Sequence, residues 1–205
     1  MVLEACTLVA ILSVMLVQSL PIMASSPVQK EKKVKVITED TDIEFKDPMV
    51  KELCLQQWGH DGRFTYADAA RVTSMGEQRH EEMKYDDTSF VFDEIEVSDR
   101  PHAESFNELR FFRNLTNIDS YSFTQCDQLR EITLPENVKN IGDMAFVFCT
   151  SLEKIYIPDN VESIARRAFT GCTSLREISL PEGVELGKDV FTHCHPDLKI
   201  IWRKR

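Results

Sequence analysis

The chain is short of positive charge. Lysine and arginine number 24 against 34 aspartates and glutamates, a formal net charge of −10. A protein whose main task is binding a phosphate backbone carries a basic footprint, so nucleic acid is excluded as the principal partner. The deficit is local. Lys30–Glu104 carries −8 of it and Asn107–Arg205 only −1. A long apolar run is also missing. Leu8–Leu20, the most hydrophobic stretch, is too short to cross a bilayer as a comfortable helix. Pro21 and Ile22-Met23-Ala24 follow it, a layout that reads as a signal peptide over 1–24 cleaved after Ala24, leaving no membrane span. This leader itself lacks something, since no Lys or Arg precedes the apolar core and Glu4 is acidic. A disulfide framework is absent too. Cys6 lies in the leader, which leaves an odd five cysteines, and four of these sit at one fixed position, three residues after a Phe, which points to buried thiols. Finally, no nucleophile–base pair and no metal constellation stands out, so the sequence offers no enzyme and asks for no cofactor.

What the chain does have is a period of about 23 residues. Ile118, Ile141 and Ile164 keep it, as do Phe123, Phe146 and Phe169, and Cys126, Cys149 and Cys172. Leu129, Leu152 and Leu175 follow, then Ile132, Ile155 and Ile178, then Leu134, Ile157 and Leu180, with Pro135, Pro158 and Pro181 closing each unit. Counting outward predicts five rungs, at 106–111, 129–134, 152–157, 175–180 and 198–203. Phe191 and Cys194 arrive one residue early, and Pro196 is read as restoring the spacing at Leu198 and Ile201. The fold class that follows is an α/β-type repeat solenoid over 106–205, a short leucine-rich repeat array of about five parallel strands. No unit buries its apolar edge alone, so stability comes from stacking neighbours.

A small helical hairpin precedes the array over 45–76. Asp47-Pro48 starts a helix whose apolar face is Val50, Leu53, Cys54 and Trp58; Thr65 caps a second helix lined by Ala67, Ala69, Ala70 and Val72. Between them Gly59-His60-Asp61-Gly62 invites comparison with a calcium loop. Gly62 at the sixth position makes Asp61, Thr65 and Asp68 the candidate calcium ligands, but Gln57 and Gly59 then stand where the first two anionic ligands belong. A metal-free structural hairpin is the preferred reading. Residues 25–44 read as a polar tether, and 77–105 as an acidic connector and N-terminal cap with short strands at Phe90–Phe92 and Ile95–Val97.

The unit Ile-Gly-x-x-Ala-Phe-x-x-Cys-Thr-Ser-Leu-x-x-Ile-x-Ile-Pro, from Ile141 to Pro158, resembles the BspA-type leucine-rich repeat of surface and secreted proteins in Bacteroides-like bacteria. Asp47–Ala70 and Ser105–Ile118 are similar to segments that precede the array in that family, whose loop after the Trp is longer and more acidic. The resemblance implies a surface-exposed binding or adhesion protein and carries no catalytic residues over.

Three columns of rung residues should face solvent. Asn107, Arg130, Glu153, Arg176 and Lys199 form one; Glu108, Glu131, Lys154, Glu177 and Ile200 the next; Arg110, Thr133, Tyr156, Ser179 and Trp202 the third. The charges alternate in sign between neighbouring strands about 4.8 Å apart, so the face largely neutralises itself. The candidate binding residues are Tyr156, Thr133, Ser179, Lys154, Arg176 and Trp202, with Tyr156 foremost and Trp202 also readable as a cap over the open end. His193-Cys194-His195 resembles a zinc cluster, but Cys194 belongs to the inward column. Asn114-Leu115-Thr116 is a glycosylation sequon. The function expected is an exported, non-enzymatic recognition protein for a protein or glycan partner. The alternative is a structural envelope component.

Overall fold

A computed structural model describes residues 36–75 and 103–205. The expected leader, most of the tether and most of the acidic connector lie outside the described residues. Two helices come first, α1 (Pro48–Trp58) and α2 (Tyr66–Arg71). They begin where the capping residues said they should. The Asp47 carboxylate accepts from the amides of Met49 and Val50 with Pro48 in the first turn, and Thr65 closes a reciprocal capping box with Asp68. Val50 and Cys54 of α1 and Ala69 of α2 are buried, while Leu53 and Trp58 pack partly buried against them. The end of the expected tether belongs to the fold. Ile43 is buried, its amide donates to the Phe64 carbonyl, and Asp42 pairs with Thr65.

The array then winds as a solenoid of short parallel strands. In chain order these are β1 (Ser105–Phe106), β2 (Asn117–Ile118), β3 (Glu131–Ile132), β4 (Asn140–Ile141), β5 (Lys154–Tyr156), β6 (Ser163–Ile164), β7 (Glu177–Pro181), β8 (Glu185–Leu186) and β9 (Lys199–Arg203). Each turn supplies two strands to two different ladders. The order β2-β4-β6-β8 makes one; β5-β7-β9 makes the other, with β3 beside β5 and paired to β1. The β2-β4-β6-β8 ladder carries a polar spine. The Asn140 amide donates to Asn117 at 2.9 Å and the Ser163 hydroxyl to Asn140 at 2.8 Å.

Between the ladders runs the core that the period encodes. Phe123, Phe146 and Phe169 are buried and stack with centroids 5.0 and 5.1 Å apart and near-parallel planes. Such pairs contribute about 0.5–1.5 kcal/mol each beyond the area they bury. The thiols three residues on are free, and those of Cys149, Cys172 and Cys194 each donate to a Phe carbonyl of the preceding turn at 3.1 Å. Burial pushes the Cys149 thiol well above its usual range, and the hydrogen bond with Cys149 does the same for Cys172. These are inert core groups. Cys194 spends its thiol on Phe169, and the His195 ring nitrogen accepts from the Asp197 amide, so the apparent zinc cluster is already engaged in structural bonds.

Two ends of the array depart from the expected register. At the first rung, Phe106 pairs beside Ile132, not Leu129, an offset of 26 residues. The extra three residues are taken up by a 3-10 turn over Asn107–Phe111, which packs against α2 instead of forming a strand. Glu108, expected in solvent, is buried there, and one of its carboxylate oxygens accepts from the Lys46 amide. Phe112, just beyond, enters an aromatic cluster with Trp58, Phe64 and Phe106. At the other end, β6–β8 and β7–β9 both pair at an offset of 22, with Ile164 beside Leu186 and Ile178 beside Ile200. The residue is lost between Val184 and Glu185, and Pro196 does not restore it. Because side chains alternate across a strand, a one-residue slip moves every side chain of β9 to the opposite face.

Candidate functional site

The outer face of β3, β5, β7 and β9 is where the expected binding residues lie, and the slip in β9 rewrites its last row. Ser179 pairs beside Ile201, so Ile201 joins the column Thr133–Tyr156–Ser179. Trp202 pairs beside fully buried Leu180 and so belongs to the inward column. Its half exposure comes from its place on β9, which has a strand on one side only among the described residues. Trp202 is thus removed from the column of the strand face. The same correction puts Lys199 beside Glu177, in place of Ile200.

The charges now run Lys46, Glu131, Lys154, Glu177, Lys199 along the array. Lys154 and Glu177 are neighbours in register, as are Glu177 and Lys199. The ladder alternates in sign as expected, and among the described residues Lys46–Glu131, at 2.8 Å, is the ion pair that closes in this column. Its hydrogen bond holds the Glu131 carboxyl below its ordinary value and the Lys46 ammonium above. Arg176 is exposed beside this column, one rung beyond Glu153.

The face is not uniform. At its N-terminal side the side chains are spoken for. Thr133 donates its hydroxyl to Asn107 at 2.7 Å, and the Asn107 amide donates to Glu131 at 3.0 Å, the same carboxylate that Lys46 holds. The 3-10 turn and the chain before α1 therefore tie Thr133 and Glu131 down. At the C-terminal side, Tyr156 and Ile201 are 46% and 43% exposed, with the smaller Ser179 between them. That arrangement leaves a notch one residue wide between two large side chains. Arg203 reaches from β9 to Tyr156. The guanidinium lies 3.8 Å from the Tyr156 ring centroid, pairs with Asp159 at 2.8 Å and donates to the Ile157 carbonyl. Tyr156 is thereby held in one orientation, and a pre-ordered aromatic loses little freedom on binding. Neither Ile201 nor Arg203 was anticipated here. The early arrival of Phe191 and Cys194 was the available signal, and carrying their spacing through to β9 would have found both.

The candidate calcium residues go elsewhere. Asp61 and Gly62 both have positive φ and form a two-residue turn closed by reciprocal His60–Arg63 backbone bonds of 3.0 and 2.8 Å. Asp-Gly suits that primed hairpin turn, whose backbone needs positive φ twice. Asp68 is fully buried and both its oxygens are occupied. One accepts from the Thr65 amide and hydroxyl at 2.8 and 2.7 Å; the other accepts from Arg71 and lies 3.0 Å from His60. Burial pushes this carboxyl up, but the Thr65 donors with His60 and Arg71 outweigh it, and the net shift is down. Asp61, Thr65 and Asp68 are a turn and a capping box. Among the described residues no group of three or more His, Cys, Asp or Glu side chains could hold a metal ion. The sequon residue Asn114 has its amide on the Ala70 carbonyl.

Comparison with known proteins follows the same outline. Residues 102–202 match the model of the BspA type leucine-rich repeat region in six copies, one more than the five rungs counted from the period. A comparison with curated proteins finds no match. Among solved structures, a leucine-rich repeat protein from Bacteroides ovatus is 30% identical over 43% of this chain and 28% of its own, with a TM-score of 0.40. The pneumococcal vaccine antigen PcpA is 34% identical over 49% of this chain and 25% of its own, with a TM-score of 0.44. A leucine-rich cell surface protein from Faecalibacterium prausnitzii is 24% identical over 49% and 28%, with a TM-score of 0.39. The chain spans only about a quarter of the length of each of these three. The period, the inward Phe and Cys columns, the paired ladders and the family match agree: residues 102–202 belong to the BspA type leucine-rich repeat family.

Proposed function

We propose that the protein is an exported, non-enzymatic recognition or adhesion protein that holds a protein or glycan partner on the strand face of its repeats. The observation that carries this reading is the notch between Tyr156 and Ile201 over Ser179, with Arg203 over the Tyr156 ring. Exposed aromatic side chains held by arginine are the residue types that dominate binding energy at interfaces. Lys154 and Arg176 flank it, so an acidic rim on the partner would orient on them. Export rests on the leader at 1–24. Among the described residues no helix is long and apolar enough to cross a membrane.

The test is twofold. Fractionating cells and sequencing the N-terminus of the mature chain should find it in the envelope or medium, beginning at Ser25. Capturing matrix proteins and glycans on immobilised full chain should identify a partner, and Tyr156→Ala should weaken it by about tenfold or more. Binding that survives Tyr156→Ala unchanged removes the strand face from consideration. A second reading, a structural envelope component, draws on β9, where Ile200 and Trp202 are exposed and which has a strand on one side only among the described residues. Retention in an insoluble envelope assembly, with no soluble partner captured, would favour it.

A further inference from the structure

The strand face carries an alternation that its own chain leaves unused. Lys154, Glu177 and Lys199 follow one another in register on β5, β7 and β9, and Glu131 on β3 continues the change of sign. Beside them Glu153 and Arg176 alternate on the β5 and β7 rungs. Lys154, Glu177, Lys199, Glu153 and Arg176 are all exposed, and among the described residues they close no ion pair. The uncharged column has a matching contrast in size. Exposed Tyr156 is in register with the smaller, half-buried Ser179, and exposed Ile201 follows it. On the same two rungs, then, a cation stands beside an anion and a large side chain beside a small one.

A ladder of this kind complements itself when turned end for end. A second copy rotated by 180° about an axis parallel to the strands, midway between β5 and β7, meets the first with its rungs in reverse order. β5 then lies on β7, and β3 on β9. Lys154 faces Glu177, Glu153 faces Arg176 and Glu131 faces Lys199, each pair formed twice by symmetry. Tyr156 faces Ser179, so each ring enters the other copy's notch, and Ile201 lies over Thr133. Such an interface is isologous: residue i meets j, and j meets i. Other placements of the axis do worse. Centred on β5 it sets Lys154 against Lys154, and on β7 Glu177 against Glu177, where like charges repel. Midway between β7 and β9 it leaves Lys154 and Tyr156 outside the contact. Midway between β3 and β5 it uses Glu131 and Thr133, which Lys46 and Asn107 already hold. One pair opposes the favoured placement, Asp159 against Glu182 just past the strands, but Arg203 already neutralises Asp159 at 2.8 Å.

We infer that the strand face is a self-association surface whose partner is a second copy of this chain, docked face to face with Tyr156 of each copy in the notch over Ser179 of the other. The inference rests on the strand-face reading above and names its partner. Charge decides for a second copy: unpaired groups of both signs, spaced by about 4.8 Å, call for the opposite signs in the reverse order. A neutral glycan supplies no charge, and an anionic one meets Glu153 and Glu177. The contact is small, four rungs deep, so association is weak, with dissociation on the order of 10–100 μM.

The test is sedimentation velocity on the chain as recovered from cells, from about 5 to 500 μM. The parent should pass from monomer to dimer over that range, and added salt should weaken the dimer. Lys154→Glu and Glu177→Lys, each alone, set like charges face to face and should weaken it by about tenfold or more. Mixing those two variants should restore a dimer, because each then supplies the charge the other lacks, and the double variant should dimerise by itself. Ser179→Tyr, which fills the notch, should leave monomer. Far-ultraviolet dichroism checks that every variant is folded, and the rescue by mixing is a readout that damage to the fold does not produce. A parent that stays monomeric throughout overturns the inference, as does a dimer indifferent to both charge reversals or a mixture of the two variants that stays monomeric. A monomeric parent that captures a foreign partner through Tyr156 overturns self-association alone and leaves the strand-face reading in place. A dimer rescued by mixing, with a foreign partner still bound after Tyr156→Ala, supports self-association and removes the foreign partner from this face.

Discussion

Replacing Asp47 with alanine should unseat the start of the whole array, because one carboxylate does two jobs. Its first oxygen caps α1, accepting from Met49 at 2.9 Å and Val50 at 3.4 Å. Its second accepts from the amides of Glu104 at 2.7 Å and Ser105 at 3.4 Å, where β1 begins. Losing a cap costs about 0.5–2 kcal/mol. Leaving the better of the two strand amides unpaired costs roughly 1–3 kcal/mol more, since Asp47 and Ser105 are both buried and water has little access. The combined loss is about 2–5 kcal/mol, or roughly 5–15 °C in Tm for a folded unit of this size. In a solenoid the damage should be local, since each turn contacts only its neighbours. Hydrogen exchange should therefore speed up at Val50, Glu104 and β1 while β7 and β9 keep their protection. Asp47→Ser separates the two jobs, because serine caps a helix well but is too short to serve both segments. It should recover the α1 amides and leave Glu104 and Ser105 fast. The reasoning fails if Asp47→Ala melts within a degree or two of the parent, or if serine restores protection at Glu104 as fully as at Val50.

Asp68 sets the acid limit of the hairpin. Its native carboxyl sits below the ordinary value of about 3.9, so the stability it contributes is present above that pH and is lost as pH falls through the lower native value. Far-ultraviolet dichroism of the parent should hold to about pH 4 and then drop; Asp68→Asn should be weaker at neutral pH and lack that acid step. Arg203→Ala should remove the Asp159 pair, the bond to Ile157 and the cover on Tyr156, at about 1–2 kcal/mol by melting. Arg203→Lys should rescue little, because the guanidinium fork serves carboxylate, carbonyl and ring together; full rescue by lysine would contradict the geometry. The thiols of Cys149 and Cys172 should react with an aromatic disulfide reagent only at the rate of unfolding, measured in a Cys6→Ser background. A burst at either residue in the native state would contradict their burial.

Most of the fold was legible because a stacked array repeats its side-chain environment every turn. Phe123, Phe146 and Phe169 stack because they share one position, and the same holds for the thiols and for Ile118, Ile141 and Ile164. Helix starts at Asp47-Pro48 and Thr65 were equally readable, since capping is decided within three or four residues. The site was less legible. A column assignment is only as good as the register beneath it, and one missing residue after Val184 exchanged Trp202 for Ile201 on the strand face. Asp68 shows a different limit: its place in the sequence fits a calcium ligand, but its oxygens were claimed by Thr65, Arg71 and His60.

The sequence alone determined the period, the inward columns, the two capped helices and the family, because each depends on spacing along the chain or on contacts between equivalent positions. Tertiary structure decided three things that spacing does not encode. The first rung became a 3-10 turn because Phe112 was drawn into the aromatic cluster of the hairpin. The N-terminal half of the strand face was closed by Lys46 and Asn107, which reach it from outside the repeats. At the C-terminal half Tyr156 was held by Arg203, two rungs away, whose guanidinium lies over its ring. In each case the deciding contact joins residues that no repeat relates, so it could be seen only once the chain was folded.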